Sequence, residues 1–192
     1  MKEKHNPSKI SENTHITPND VVLIAGLGNP GKEYENTYHN AGLMALHYIA
    51  DTKDFVTANT GTFAFAKHEG RIFVHPLVFM NESGVALRDA LRYFNLKPMQ
   101  MCIIHDDADI PLGDVKIQFG RGEAGHHGIE SIAKFVGTKE FWRARVGIEQ
   151  KTFFTKKRIR AEKYVLKSVS LNNRQKLERV FETIKASIPQ VH

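Results

Sequence analysis

The stretch "VVLIAGLGNPGKEYENTYHNAG", residues 21–42, gives the first indication of the fold class. Its apolar run, residues 21–25, is too short for a helix and predicts a buried strand. A glycine-rich polar loop follows, and helical periodicity begins near His39, with Leu43 and Leu46 on one face. The stretch therefore predicts a strand, a long loop and a helix in succession.

Short apolar runs alternate with helical patterns along the rest of the chain. Further strands are predicted in "TFAFAKHEGRIFVH" (two strands joined at Glu69-Gly70), "MCIIH", "VKIQF" and "RARVGIE". Further helices are predicted in "SGVALRDALRYFN", over 129–136 before Gly137, and from about Ser170. This alternation predicts an α/β fold, a single domain over residues 21–192 with a twisted, mixed, largely parallel central sheet and helices on both faces.

Two polar stretches are interpreted as lying outside the regular elements. "DDADIPLGD", which follows "MCIIH", is interpreted as a polar turn. Residues 1–20 are polar, contain two prolines and lack the apolar core of a secretion signal, so they are interpreted as a flexible extension.

The composition is that of an ordinary globular protein of the cytoplasm. Hydrophobic residues make up 41% and charged residues 25% of the 192 residues, which allows a sizeable core. No apolar run approaches the ~18 residues that a membrane span needs, so no membrane association is expected. The single cysteine, Cys102, excludes an intrachain disulfide, and its apolar surroundings predict a buried thiol.

The basic residues are concentrated near the C-terminus. Residues 151–192 hold 11 Lys and Arg against 3 Asp and Glu, whereas residues 1–150 hold 16 against 18. The centre of this charge, "KTFFTKKRIRAEK", suits a polyanion such as RNA. A solvated basic loop with no partner accounts for the charge equally well.

Two interpretations of the polar loops are disfavoured by their details. "GLGNPG" has the glycine spacing of a dinucleotide-binding turn, but a proline precedes the third glycine and no helix begins there. A metal site is suggested by the cluster His105, Asp106, Asp107 and Asp109. No matching acidic set occurs elsewhere in the sequence, and aspartates that accept backbone N–H groups in a turn explain the cluster as well.

A third interpretation is hydrolysis with His39 as general base. A histidine can take a proton from water near neutral pH when a carboxylate holds its other ring nitrogen. The aspartates after "MCIIH" supply such a carboxylate if the two predicted strands lie side by side. Because no serine nucleophile motif is present and Cys102 is expected to be buried, direct attack by water is favoured.

Five motifs in order make the chain similar to a known family. They are "GLGNPGKEYENTYHNAG", "PLVFMNESG", "HDDADIPLG", "GRGEAGHHGIESI" and "FWRARVGI", followed by "EKYVLKSVS". From Val21 to about Ile188 the sequence resembles the bacterial-type peptidyl-tRNA hydrolases. The resemblance implies a single α/β domain, usually monomeric, that hydrolyses the ester bond between peptide and tRNA in translation. It implies no metal and no organic cofactor.

The resemblance also implies roles for individual residues. His39 is expected to activate water, Asp106 to hold its imidazole, and Asn29 to distinguish N-blocked peptidyl esters from free aminoacyl esters. The substrate cleft is expected to be lined by Tyr34, Phe79, Asn81 and His127. Phosphates of the tRNA are expected to meet Lys116, Arg145, Lys156, Lys157, Arg158 and Arg160.

Some positions depart from the family pattern. His127 stands where the family has a cleft asparagine, and Tyr38 where arginine is usual before the histidine. Val78 and Ala108 replace a usual threonine and a usual leucine. These departures leave open a catalytically altered or inactive RNA-binding relative as the alternative function, with a nicotinamide-dependent oxidoreductase as a distant third.

Overall fold

A computed structural model of the chain describes residues 17–120, 125–150 and 164–188. Within these residues the protein has seven strands, and they are β1 (Leu23–Gly26), β2 (Val56–Thr57), β3 (Phe63–His68), β4 (Arg71–Pro76), β5 (Met101–Pro111), β6 (Val115–Phe119) and β7 (Trp142–Glu149). The α-helices among the same residues are α1 (Ala41–Ala50), α2 (Ser83–Tyr93), α3 (His127–Val136) and α4 (Leu171–Ser187).

All seven strands form one mixed sheet in the order β2-β3-β4-β1-β5-β7-β6. The four central strands, β4, β1, β5 and β7, pair in parallel, whereas the outer pairs β2–β3, β3–β4 and β6–β7 are antiparallel. The predicted α/β class and mixed sheet are therefore confirmed. Parallel pairing is confined to the centre, where both faces of the sheet are covered.

Helices cover both faces because the buried strands are apolar on both sides. In β1, Ile24 belongs to the apolar cluster that includes residues of α1 and α4. Its neighbours Leu23 and Ala25 belong to the cluster that includes residues of α2 and α3. Successive side chains of a strand point to opposite faces, so one short apolar run supplies both cores. Burying one such aliphatic side chain contributes about 1.5–3 kcal/mol to folding.

Helix α4 matches its predicted apolar stripe. Ser170 caps its first turn by accepting the backbone N–H of Asn173 at 3.4 Å. The stripe of Leu177, Val180, Phe181 and Ile184 is buried. None of the helices in the described part of the chain is both long and apolar enough to cross a bilayer.

The prediction of a polar turn directly after "MCIIH" is wrong, because β5 continues to Pro111. Asp106 and Asp107 lie within the strand and align with Val146 and Gly147 of β7. Both carboxylates are buried, and each has a cationic or hydrogen-bonding partner. A buried strand tolerates such residues only when their charges are paired, which local sequence does not reveal.

Two smaller expectations concern Cys102 and the N-terminus. Cys102 is fully buried, and burial raises the pKa of its thiol to about 12, which fits a structural rather than a reactive role. Residues 1–16 lie outside the described residues. Thr17 begins a short turn in which its backbone N–H donates to the Asp20 carboxylate at 2.7 Å.

A glycine allows α2 and α3 to approach closely beside the sheet. A Cβ added to Gly84 would lie 2.1 Å from the carbonyl oxygen of Ser131. The Gly84 N–H instead donates to the Ser131 hydroxyl at 3.0 Å. This contact sets the first turn of α2 against α3 and therefore fixes the relative positions of the two helix N-termini.

Substituting Gly84 with alanine should destabilise the fold. The added methyl group would overpack against the Ser131 carbonyl, which costs about 1–3 kcal/mol when the helices must separate to admit it. Alanine also favours the helix over glycine by about 1 kcal/mol, which offsets part of that cost. We expect urea unfolding to show a net loss of up to about 2 kcal/mol for Gly84→Ala. The control Arg92→Ala, at an exposed position of the same helix, should stay within about 0.5 kcal/mol of wild type. Unchanged stability of Gly84→Ala would show that separating the helices costs no more than the gain in helix propensity.

Candidate active site

The loop after β1 carries His39 to Asp106, in the middle of the neighbouring strand β5. The N–H of Leu27 donates to the Ile104 carbonyl at 2.9 Å, so the chain leaves β1 along β5. His39 lies in a short turn, Tyr38–Asn40, immediately before α1. Because α1 begins at Ala41 and not at Gly31, the dinucleotide-binding interpretation of the glycine spacing is wrong.

His39 and Asp106 are in direct contact. His39 Nδ1 lies 3.0 Å from Asp106 Oδ1. The Asp106 side chain is 3% exposed, whereas that of His39 is 14% exposed and can be reached from solvent. An ionised carboxylate accepts the Nδ1 proton, which leaves the lone pair of Nε2 available as a base.

A second histidine, which the sequence analysis missed, also contacts Asp106. His126 Nε2 lies 3.1 Å from the same carboxylate oxygen, Oδ1. His126 also caps α3, because its Nδ1 accepts the backbone N–H groups of Gly128 at 3.2 Å and Ile129 at 3.4 Å. The available signal was its position directly before the helical stripe of α3, where capping residues occur.

The cap determines which nitrogen of His126 carries the proton. Because Nδ1 accepts hydrogen bonds from the helix, the proton must reside on Nε2, which then donates to Asp106. Burial by itself raises the pKa of the Asp106 carboxyl, but His126 and then His39 outweigh it and hold that pKa well below its usual range. Asp106 is therefore an anion that accepts two imidazole N–H groups.

Buried His105 contacts both Asp106 and His126. Its Nδ1 lies 2.8 Å from the Asp106 carbonyl oxygen, and its ring meets that of His126 edge-on at 4.6 Å. Burial lowers the pKa of His105 well below its ordinary value, so the ring is neutral. An uncharged ring at this place packs against His126 without competing for the Asp106 anion.

The three groups His39, Asp106 and His126 form the only metal-compatible cluster among the described residues, with ligand atoms within 4.8 Å of one another. A histidine ligates a metal through an unprotonated nitrogen, but the cap of α3 requires the proton on His126 Nε2. Metal binding would therefore break that cap, and the donor set fits a hydrogen-bonded array better. The metal cluster suggested by the sequence, His105, Asp106, Asp107 and Asp109, does not form one site, because Asp107 pairs instead with Arg145.

Asn29 is held in a defined orientation beside this array. Its backbone N–H donates to Asn40 Oδ1 at 2.8 Å, and its carbonyl accepts from Asn40 Nδ2 at 3.0 Å. Its side-chain Oδ1 accepts the Met80 N–H at 2.8 Å. Because a backbone N–H can meet only the oxygen of the amide, Asn29 Nδ2 is left as the group that can donate to a ligand.

Gly128 brings the turn that carries Asn81 against the first turn of α3. A Cβ on Gly128 would lie 2.6 Å from Met80 Sδ. Of the predicted cleft residues, Asn81 follows Met80, whose N–H donates to Asn29, and His127 follows His126 of the array. Phe79 is 51% exposed, Asn81 is exposed, and Tyr34 is half-buried in the loop before His39.

His127 differs from its neighbour His126 in exposure and in hydrogen-bond partner. Its side chain is 68% exposed, and its Nδ1 lies 3.4 Å from Glu130 Oε2. It forms no hydrogen bond with His39 or Asp106, so the residue that departs from the expected asparagine takes no part in the contacts among His39, Asp106 and His126.

The two predicted phosphate-binding residues on the sheet are cross-strand neighbours with different surroundings. Lys116 of β6 is aligned with Arg145 of β7 and is exposed. Arg145 is 11% exposed and donates to Asp107 Oδ2 and to Gln118 Oε1, each at 2.8 Å. The other predicted cations, Lys156, Lys157, Arg158 and Arg160, lie outside the described residues.

Similarity to known proteins extends over most of the chain. The sequence profile of the family described as peptidyl-tRNA hydrolase matches residues 23–192. The chain belongs to the peptidyl-tRNA hydrolase family. A "Peptidyl-tRNA hydrolase" of Coxiella burnetii is 35% identical over 89% of this chain and 90% of its own length. Another, of Aquifex aeolicus, is 36% identical over 85% of each chain.

A solved member of the family has the same fold. The crystal structure of peptidyl-tRNA hydrolase from Acinetobacter baumannii superposes with a TM-score of 0.75 at 26% identity. The match covers 88% of this chain and 89% of that one. The fold class and the family predicted from the motifs are thus both confirmed.

The two roles of His126 can be separated by substitution in this peptidyl-tRNA hydrolase family member. His126→Asn retains a cap acceptor but is too short to reach Asp106, whereas His126→Ala loses both functions. We expect urea unfolding at pH 7 to show a loss of about 2 kcal/mol for His126→Asn, from the lost hydrogen bond to a buried anion. His126→Ala should lose about 1 kcal/mol more, because the cap is also removed.

His127→Ala is the matched control for His126, since it removes the adjacent exposed histidine. Its stability should stay within about 0.5 kcal/mol of wild type. If His126→Asn were as stable as wild type, the contact between His126 and Asp106 would contribute nothing to the fold.

Proposed function

We propose that this chain hydrolyses the ester bond that joins the peptide to the tRNA in peptidyl-tRNA, which frees the peptide and recycles the tRNA. The observation that carries the proposal is the contact of His39 Nδ1 with the buried Asp106 carboxylate at 3.0 Å. It occurs in a chain that belongs to the peptidyl-tRNA hydrolase family. The contact supplies an oriented base that can be reached from solvent, as attack by water on an ester requires.

The reaction follows from the proton positions. His39 Nε2 takes a proton from water while the water oxygen bonds to the ester carbonyl carbon. The carbon–oxygen bond to the ribose then breaks, and the imidazolium returns its proton to the departing ribose oxygen. The products are a peptide with a free carboxyl group and a tRNA with a free terminal hydroxyl. Asp106 stays ionised throughout and stabilises the imidazolium.

Asn29 is proposed to distinguish peptidyl esters from free aminoacyl esters. Its Oδ1 is engaged by the Met80 N–H, so its Nδ2 presents donors only. A donor pairs with a carbonyl oxygen of a blocked peptide but cannot accept from the α-ammonium group of an unblocked amino acid. Leaving a buried polar group unpaired costs about 1–3 kcal/mol, which disfavours the unblocked ester.

The remaining residues are proposed to bind the rest of the substrate. Tyr34, Phe79, Asn81 and His127 would line the cleft, with Asn81 pairing with the peptide backbone. Lys116 would meet a tRNA phosphate directly. Arg145 could do so only in competition with Asp107 and Gln118, which already accept from its guanidinium. Because the substrate is a product of translation, we place the protein in the cytoplasm, acting as a monomer.

The alternative of an inactive RNA-binding relative gains no support from the site. A protein that only binds RNA has no use for a buried anion that orients a solvent-accessible histidine. The departure that raised this alternative, His127, points away from Asp106 towards Glu130.

Replacing His39 with alanine should abolish hydrolysis. Loss of a general base lowers the rate about 10²–10⁴-fold. The measurement is release of the N-acetylated amino acid from N-acetyl-aminoacyl-tRNA, run beside the unacetylated ester, which the wild-type protein should spare. The control is His68→Ala, at a half-buried histidine of β3 whose side chain is 40% exposed, and it should retain full activity. If wild type binds the tRNA but leaves the acetylated ester intact, the proposed function is wrong.

Lys116 and Arg145 should respond differently to substitution. Lys116→Ala removes an exposed charge, so tRNA affinity should fall by a similar factor for every tRNA sequence, and the slope of log K against log salt should decrease by about 1. Arg145→Ala leaves buried Asp107 without its partner and should cost about 3–5 kcal/mol of stability. Fluorescence titrations of labelled tRNA and urea unfolding measure the two effects, with Lys116→Arg as the charge-retaining control. Equal salt slopes for Lys116→Ala and wild type would exclude a phosphate contact at Lys116.

A further inference from the structure

Tyr38, the residue immediately before His39, is the meeting point of three parts of the chain. Its side chain is buried, at 3% exposure. Its hydroxyl oxygen accepts Gln150 Nε2–H at 2.8 Å, from the residue after β7. The same oxygen accepts Asn173 Nδ2–H at 2.7 Å, from the first turn of α4.

The ring of Tyr38 has a partner as well. It stacks on Tyr164 with 4.8 Å between ring centroids and an interplanar angle of 20°. Burial raises the pKa of the Tyr164 hydroxyl, so the Tyr164 ring is neutral near pH 7. Stacked aromatic pairs add about 0.5–1.5 kcal/mol beyond the area they bury.

The backbone on both sides of Tyr38 is held by residues that follow Tyr164. The N–H of Tyr38 donates to the Lys167 carbonyl at 3.1 Å, and that of His39 donates to the Val165 carbonyl at 2.8 Å. Thr37 forms an isolated antiparallel bridge with Ser168. The turn that presents His39 therefore belongs to neither β1 nor α1 and depends on these contacts for its position.

We propose that the Tyr38 hydroxyl is a positioning group for His39, which fixes the turn so that Nδ1 of His39 meets Asp106. The catalytic meaning of this inference rests on the proposed function, whereas the positioning itself does not. Two amide donors from different elements converge on one oxygen, so the hydroxyl joins the end of β7 and the start of α4 to the residue beside the base. No other side chain in the described residues bonds both Gln150 and Asn173.

Tyr38→Phe tests the hydroxyl because it retains the stacked ring. The substitution leaves two amide groups without their acceptor, so the turn should shift relative to Asp106 although its backbone bonds to Val165 and Lys167 remain. A displacement of 1 Å at a catalytic group can cost about 100-fold in rate, and we expect kcat to fall about 10-fold. KM for N-acetyl-aminoacyl-tRNA should change less than about twofold, because Tyr38 is buried and does not touch substrate.

Tyr48→Phe is the matched control. The Tyr48 hydroxyl also bonds a residue of α4, Glu182, but it lies on α1 away from the turn of His39. Its kcat and KM should equal those of wild type. An unchanged kcat in Tyr38→Phe, an equal fall in Tyr48→Phe, or a rise confined to KM would each overturn the proposal.

A readout that does not need substrate separates this inference from the proposed function. The proton between His39 Nδ1 and Asp106 should give a low-field NMR resonance, identified by its loss in His39→Ala. We expect that resonance to shift or broaden in Tyr38→Phe and to be unchanged in Tyr48→Phe. If wild type fails to hydrolyse the ester but the resonance responds as described, the proposed function fails and the positioning role stands. An unaltered resonance in Tyr38→Phe overturns the positioning role.

Asn173 allows a double-mutant cycle. If the Tyr38 hydroxyl acts through this amide, Asn173→Ala should lower kcat in the wild-type background and add little in the Tyr38→Phe background. Fully additive losses would show that the two side chains act independently, and they would contradict the proposed link.

Discussion

A single buried carboxylate oxygen, Asp106 Oδ1, organises the site. It accepts hydrogen bonds from His39, in the loop after β1, and from His126, at the start of α3. A buried anion is tolerable only when donors surround it, so the loop and the helix must both reach the same atom for the strand to fold. The orientation of His39 and the local stability of the sheet therefore depend on the same buried anion and its two hydrogen bonds.

The strands and helices that could be predicted from the sequence are those with a local pattern of apolar residues. The apolar runs that became β1, β6 and β7 and the stripe of α4 could be identified because burial follows the period of each element. The contact between His39 and Asp106 could be anticipated because β1 and β5 are parallel neighbours, with Gly26 at the end of β1 aligned with Ile104, two residues before Asp106.

The features that escaped prediction depend on partners distant in sequence. Asp107 remains inside β5 because Arg145, on the adjacent strand, neutralises its charge. The stretch "DDADIPLGD" contains no residue pattern from which that partner could be predicted. The adjacent residues His126 and His127 cannot be distinguished by residue type. Only the cap geometry of α3 turns His126 inward and leaves His127 exposed. The orientation of Asn29 likewise depends on the Met80 N–H, which another motif supplies.

The capping of α3 by His126 has a consequence for how the site can be observed. The amide protons of Gly128 and Ile129 point at His126 Nδ1, and the other ring nitrogen, Nε2, contacts the Asp106 carboxylate. Opening of the first helical turn and loss of order around Asp106 are therefore the same fluctuation. Hydrogen–deuterium exchange at these two amides reports how often the resting protein leaves its working arrangement. Exchange at the first turn of α3 thus measures how long the contacts around Asp106 persist in the absence of substrate.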